Sequence, residues 1–383
     1  MNTQNTGITK ESYRNVFREI GIPQDQIEAR LQEVFHTFFY GGEDERVYYP
    51  AGDDMAYIVD TGNLDVRTEG MSYGMMICVQ LNKKEEFDRL WKWAKTYMWM
   101  DSGVNEGYFA WSCGLDGTKN SLGPAPDGEE FFAMSLFFAS HRWGDGEGIF
   151  CYSGEARAIL RACLHKGRDG RPGCPMWNQE NHQILFVPGS DFTDPSYHLP
   201  HFYELFALWA DEEDREFWKK AADASRNYLA KACHPVTGFC AEYAEFDGTP
   251  MSRRKENEPR HDWFFSDAYR TAANIGLDYE WFGKDKGQRA AADRIQRFLI
   301  ENERKGAYPV YEVDGTIAEK SALHPLAIPA TVAQASLAAD NEYTREWIER
   351  FWKHSMRTGK WRYYDNCLYF FAFLALSGNY RMW

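Results

Sequence analysis

FCAEYAEFDGT, residues 239–249, is a strand-like run that ends in Asp-Gly, a pair that closes tight β-hairpins because it tolerates positive φ. The pattern recurs as YFAWSCGLDGT (108–118) and YPVYEVDGT (308–316). The turns begin at Asp116, Asp247 and Asp314, so the spacings are 131 and 67 residues, two units and one unit of about 66. The missing unit falls near residue 182, where HQILFVPGSDFTDPSY (182–197) reads as a degenerate copy. Self-similarity at a fixed period marks an architecture made from one repeated supersecondary unit.

Two kinds of helical segment fill each unit. Segments 24–40, 84–98, 153–167, 213–232, 287–304 and 343–357 are amphipathic with a charged face; REFWKKAADASRNYLAKAC is typical. Segments 70–83, 129–143, 197–210, 267–277, 325–339 and 364–376 are far more apolar, as in MSYGMMICVQL and CLYFFAFLAL. A helix that is apolar nearly all round is buried on most sides. Six apolar helices alternating with six amphipathic ones predict an all-α (α/α)6 barrel. The inner six form its wall and the outer six sheathe it, with short β-hairpins at the mouth. An open solenoid is the competing architecture, but no polar capping repeat ends the series. The whole chain, 1–383, is expected to form this one domain.

With 44 % apolar residues, the 383-residue chain can bury a large core. Its net charge of −14 repels DNA, RNA and anionic membranes. Aromatic residues reach 16 %, which suits either a big core or a cleft lined with flat rings for sugars. The eight cysteines form no C-x2-C pair and no His cluster accompanies them, so a zinc site is not expected; no cofactor is expected either. Cys78 and Cys163 lie in apolar helical patterns and read as buried thiols. MNTQNTGITKESYRNVF at the N-terminus is polar, and no run of about 18 apolar residues occurs. These features predict a cytoplasmic protein.

In a closed ring every inner helix starts at the same end, so the preceding loops meet at one mouth. The residues there are Arg67, Glu69, Asp127, Asp194, Tyr197, Asp267, Arg270, His324 and Asp365, beside Trp111 and Trp177. Singly, each acid also reads as a helix cap. Together they resemble the pair of carboxyls that glycosidic bond hydrolysis requires, one protonated and one ionised. Glu69 fits the acid, with small and apolar neighbours and like charge nearby to raise its pKa. Asp267 fits the base, with Arg270 one turn on to keep it ionised.

VRTEGMSYGMM, APDGEEFF and SDAYR resemble, in order, the motifs of glycoside hydrolase family 8, and the resemblance spans the chain from about residue 45. APDGEE is similar to the xylan-active branch, and most similar to members that release xylose from reducing ends. The resemblance implies an inverting hydrolase of short β-1,4-xylo-oligosaccharides without a metal. It implies Glu69 as general acid and Asp267 as general base, with Asp262 in RHDWFF a nearby rival. Asp127 would grip the sugar in the central subsite and Tyr197 would hold the attacking water. Trp111 would stack on sugar, and Arg67 and Arg270 would bind sugar or orient carboxylates. His324, in EKSALHPLAIP, would close the cleft beyond the reducing-end sugar; its plainer role is to cap a helix. An endo-acting xylanase, chitosanase or β-glucanase of the same family is the alternative. A sugar epimerase or a polysaccharide lyase on the same barrel, or a non-catalytic sugar-binding protein, are more distant ones.

Overall fold

In a computed structural model the chain is described for residue 10 and residues 12–252, 260–303 and 308–383. The N-terminal reading at residues 1–9 and 11, and the last residue of the 287–304 segment, lie outside these.

A short helix, α1 (Val16–Glu19), precedes α2 (Gln24–Tyr40). Then come α3 (Thr68–Gln80), α4 (Lys84–Trp93), α5 (Pro126–Trp143), α6 (Tyr152–His165), α7 (Pro200–Trp209) and α8 (Arg215–Ala232). The chain continues through α9 (Arg270–Phe282), α10 (Gln288–Glu301), α11 (Ala327–Gln334), α12 (Thr344–Lys353) and α13 (Arg362–Leu376). The apolar helices α3, α5, α7, α9, α11 and α13 each pack on the next, and α13 packs on α3. The ring is therefore closed, and the fold is the (α/α)6 barrel. Each amphipathic helix covers an inner one: α4 on α3, α6 on α5, α8 on α7, α10 on α9 and α12 on α11. The sixth pair joins α2 to α13, elements from far ends of the sequence. Phe38 meets Phe370 there edge to face at 5.5 Å.

The Asp-Gly turns form as the repeat predicts. Asp116, Asp247 and Asp314 each accept the backbone N–H of the threonine two residues on, at 3.0, 2.9 and 2.8 Å. Each following glycine has positive φ, which a side chain would strain. The degenerate unit turns differently. Trp177 bridges to Ile184, and His182 takes the left-handed conformation. Strands are short: β1 (Tyr48–Ala51) pairs with β2 (Met55–Ile58), and β3 (Val66–Arg67) with β4 (Ser112–Cys113). A three-stranded sheet joins β5 (Trp263–Phe264), β6 (Val310–Glu312) and β7 (Ile317–Glu319). They carry the segments that lead into α3, α9 and α11. No helix of the described residues is long and apolar enough to cross a membrane.

Candidate active site

Strand β3 delivers Arg67 to the mouth, and α3 begins at once, which puts Glu69 in its first turn. Two glycines let the neighbouring helices close on this turn. A Cβ on Gly128 of α5 would stand 2.4 Å from the Thr68 Cβ, and one on Gly70 would stand 2.7 Å from the Tyr363 hydroxyl. With Gly70 in place, Tyr363 reaches over and donates to Glu69 Oε1 at 2.7 Å.

The other oxygen meets Arg270, the first residue of α9 and the hub of the site. Arg270 Nη1 donates to Glu69 Oε2 at 3.0 Å, Asp127 Oδ2 at 2.9 Å and Tyr73 Oη at 2.8 Å. Its Nε donates to Ser196 Oγ at 3.1 Å. Nη2 faces Asp267 Oδ2 at 3.3 Å and Asp194 Oδ2 at 3.9 Å. Glu69 and Asp267 thus face opposite nitrogens of one guanidinium. That places their carboxyls within one guanidinium and two polar contacts of each other, a reach that leaves room for the gap of roughly 6.5–9.5 Å used by inverting glycosidases.

Four buried or half-buried carboxyls around one cation leave an excess of negative charge, so protons are retained. Burial pushes Glu69 up to about 7, the charges of Asp267 and Asp127 add to the rise, and Arg270 opposes it. Burial likewise raises Asp127 and Asp194, the charge of Asp267 adding to the rise in each and Arg270 opposing it. At neutral pH the site can therefore hold a proton beside a carboxylate, which is what acid and base catalysis across one bond needs.

Asp267 reaches its place through a strained step. Phe265 is extended (φ −150°), and Ser266 is left-handed (φ 44°). For a residue with a Cβ that conformation costs about 1–3 kcal/mol and persists only where the surroundings enforce it. A one-turn helix, Ser266–Tyr269, then leads into α9.

A cleft of about 640 Å³ lies over these groups. Glu69, Asp127 and Asp267 line it, as do Arg67, Tyr197, Trp111 and His324. Tyr197 lies under the Arg270 guanidinium, 5.5 Å from it. Arg67 is held by Asp60 and Asp65, both at 3.1 Å, and sits 5.4 Å from the Trp111 ring. His324 packs on Tyr364, with ring centroids 4.9 Å apart, and its Nδ1 stands 3.7 Å from Asp365. The eight residues to which the resemblance gives roles thus meet at one place: seven line the cleft, and Arg270 lies directly beneath it.

Three other mouth residues are placed differently. Asp365 is fully buried and accepts the N–H groups of Leu326 and Ala327 at 3.0 and 2.7 Å, so it caps the preceding inner helix, α11, instead of facing the cleft. Asp194 is also buried and caps its own turn through Ser196 N at 2.7 Å, touching the site only from behind Arg270. Trp177 is core, packed edge to face on Trp218 at 5.0 Å and Tyr203 at 5.7 Å. Asp262, the rival base, pairs with Arg260.

The sequence reading missed Tyr73, Tyr363, Tyr364 and the pair Glu242–His261. Glu242 lines the cleft, and His261 Nδ1 lies 2.5 Å from its Oε2. Burial pushes Glu242 up to about 7 against the pull of His261. A signal for Glu242 did exist. Aligned on their Asp-Gly turns, the repeats put Glu242 and Trp111 at the same register, five residues before the turn, and both line the cleft.

The model of glycosyl hydrolases family 8 matches residues 52–378. The chain is 54 % identical to the reducing end xylose-releasing exo-oligoxylanase of Halalkalibacterium halodurans over 383 residues, covering 100 % of this chain and 97 % of that protein. It is 56 % identical to the reducing-end xylose-releasing exo-oligoxylanase Rex8A of Paenibacillus barcinonensis, over 97 % of each. The structure of Rex8A complexed with xylose superposes with a TM-score of 0.94 and 55 % identity, again over 97 % of both chains.

Proposed function

Because the chain belongs to glycosyl hydrolase family 8, we propose that it is an inverting exo-oligoxylanase that removes xylose from the reducing end of short β-1,4-xylo-oligosaccharides. The carrying observation is the pair Glu69 and Asp267 held across Arg270 in one cleft. The choice of xylose and of the reducing end is supported by the full-length likeness to two enzymes of that name.

Glu69, neutral below about 7, hands its proton to the glycosidic oxygen while Tyr363 steadies the other carboxyl oxygen. Asp267 takes a proton from a water that attacks the anomeric carbon from the opposite face, so the configuration inverts. Tyr197 holds that water. Asp127, fixed by Arg270 and by the Gly128 N–H, grips hydroxyls of the distorted sugar. Trp111 stacks on a pyranose face with Arg67 at its side. Arg270 orients the three carboxylates. His324 and its neighbour Leu323, which also lines the cleft, stand against the reducing-end sugar, so longer chains cannot thread past, and the whole chain acts as one catalytic domain. The proposed setting is the cytoplasm, where short oligosaccharides are met instead of polymer; cell fractionation checks it.

Incubation with xylotriose tests the reading. Xylose released strictly from the reducing end, with xylobiose of inverted anomeric configuration by proton NMR, is the expected result. Internal cuts of polymeric xylan would instead establish the endo alternative.

A further inference from the structure

We propose that Tyr364 is a positioning residue for Asp267: its hydroxyl pins the left-handed Ser266 peptide that aims the carboxylate into the cleft. The inference rests on the reading of Asp267 as the general base. The chain arrives along β5 in extended form, reverses at Ser266 (φ 44°) and presents Asp267 on the next residue. A Cβ at this φ crowds the backbone carbonyl, so the segment relaxes unless something holds it. Tyr364, from α13, donates from its Oη to the Ser266 carbonyl at 3.1 Å. The tyrosine is buried and lines the cleft, and its ring packs on His324 at 4.9 Å. It thus joins the strained turn to the loop at which the sugar chain is proposed to stop. Asp267 also has a polar contact with Arg270 Nη2, at 3.3 Å, a nitrogen that faces Asp194 as well. That contact sets the carboxyl's distance from the hub, whereas the Ser266 peptide sets the direction from which the side chain enters.

A base displaced by about 1 Å loses on the order of a hundredfold in rate. Tyr364→Phe removes one oxygen and keeps the ring on His324. Ser266→Gly removes the Cβ that makes the turn strained, so the turn no longer needs the clamp. With xylotriose, Tyr364→Phe should lower kcat by about tenfold to a hundredfold, with KM changed much less. Ser266→Gly combined with Tyr364→Phe should recover most of the lost kcat. Thermal unfolding of the same four proteins reads the clamp without substrate: Tyr364→Phe should lower Tm clearly in the wild-type background and much less in the Ser266→Gly background. If Tyr364→Phe keeps wild-type kcat, or the double variant is as slow as Tyr364→Phe, the positioning role is overturned. If the Tm effects simply add, the clamp itself is overturned. A wild-type protein that releases no xylose from xylotriose would count against the proposed function instead, and the Tm comparison would still decide the clamp.

Discussion

Two arginines engage the same wall helix, α9, and do opposite things. Arg270 begins α9, and Asp278, two turns further along that helix, holds Arg226 of α8. Arg226 is fully buried and makes a two-pronged pair with Asp278 at 2.8 and 2.6 Å and a further bond to Glu204 at 2.6 Å. Lys284 also reaches Glu204. Two acids face two cations, so this cluster is neutral overall. Around Arg270 four acids face one cation, and its Nη2 makes no hydrogen bond of good geometry. Burial raises Asp278 too, and Arg226 opposes it as Arg270 does at Glu69; the difference is that Lys284 joins Arg226 against the rise, whereas Asp267 and Asp127 add to the rise at Glu69. A matched cluster locks helices together. An unmatched one keeps a proton in a place where a neutral-pH carboxyl would ordinarily have lost it.

The largest expected effect separates the two clusters outright. Glu69→Ala should cut xylose release by about a thousandfold while circular dichroism and Tm stay close to wild type. Asp267→Asn should abolish turnover with equal indifference in the fold. Retained activity in either would remove that residue from the mechanism.

Next in size, Asp278→Asn should leave Arg226 short of a charge and destabilise the protein by about 3–5 kcal/mol. Denaturant or thermal unfolding reads this, and kcat of the folded fraction should hardly change. If kcat fell as steeply as for Glu69→Ala, the division between locking and reacting clusters would fail.

A smaller effect tests the water. Tyr197→Phe should slow turnover by about tenfold, with KM for xylotriose little altered; unchanged kcat would place the water elsewhere.

The finest distinction concerns pH. Glu69 lies above its ordinary carboxyl value, so the folded protein favours its neutral form. That preference is present below the unfolded value and is lost as pH rises through about 7. On the proposed assignment of Glu69 as general acid, its proton departs over the same window, so kcat/KM should fall on the alkaline side through about 7. Glu242 is also raised to about 7, and Glu242→Gln decides which carboxyl is seen. The alkaline limb should survive that substitution; its disappearance would reassign the limb to Glu242.

The sequence carried the ring more legibly than the cleft. Hydrophobic periodicity located the twelve helices of wall and sheath, though not the short α1, because the distinction between a wall helix and a sheath helix is one of composition. MSYGMMICVQL cannot face water, and REFWKKAADASRNYLAKAC must. Asp-Gly turns located three hairpins because turn chemistry is local; the unit near residue 182 turns without that pair and was visible only by its spacing. The candidate site residues were picked out by their place at helix starts, but such a position does not fix where a side chain points. Asp365 and Glu69 both sit in first turns, yet Asp365 bends to the N–H groups of its neighbour and Glu69 faces the cleft. The partners of Glu69 are long-range: Tyr363 is 294 residues away and Arg270 is 201. No local pattern carries such pairings.

The sixth hairpin, made of α2 and α13, gives the molecule a timetable. Of the ring's helices α13 leaves the ribosome last, and it brings Tyr363 to the carboxyl of Glu69 and Tyr364 to the peptide before Asp267. A nascent barrel of five hairpins has Glu69 and Asp267, the proposed acid and base, already synthesised but neither fully supported. Closing the circle and arming the chemistry are therefore one event, and an unfinished chain has little means of cutting sugar.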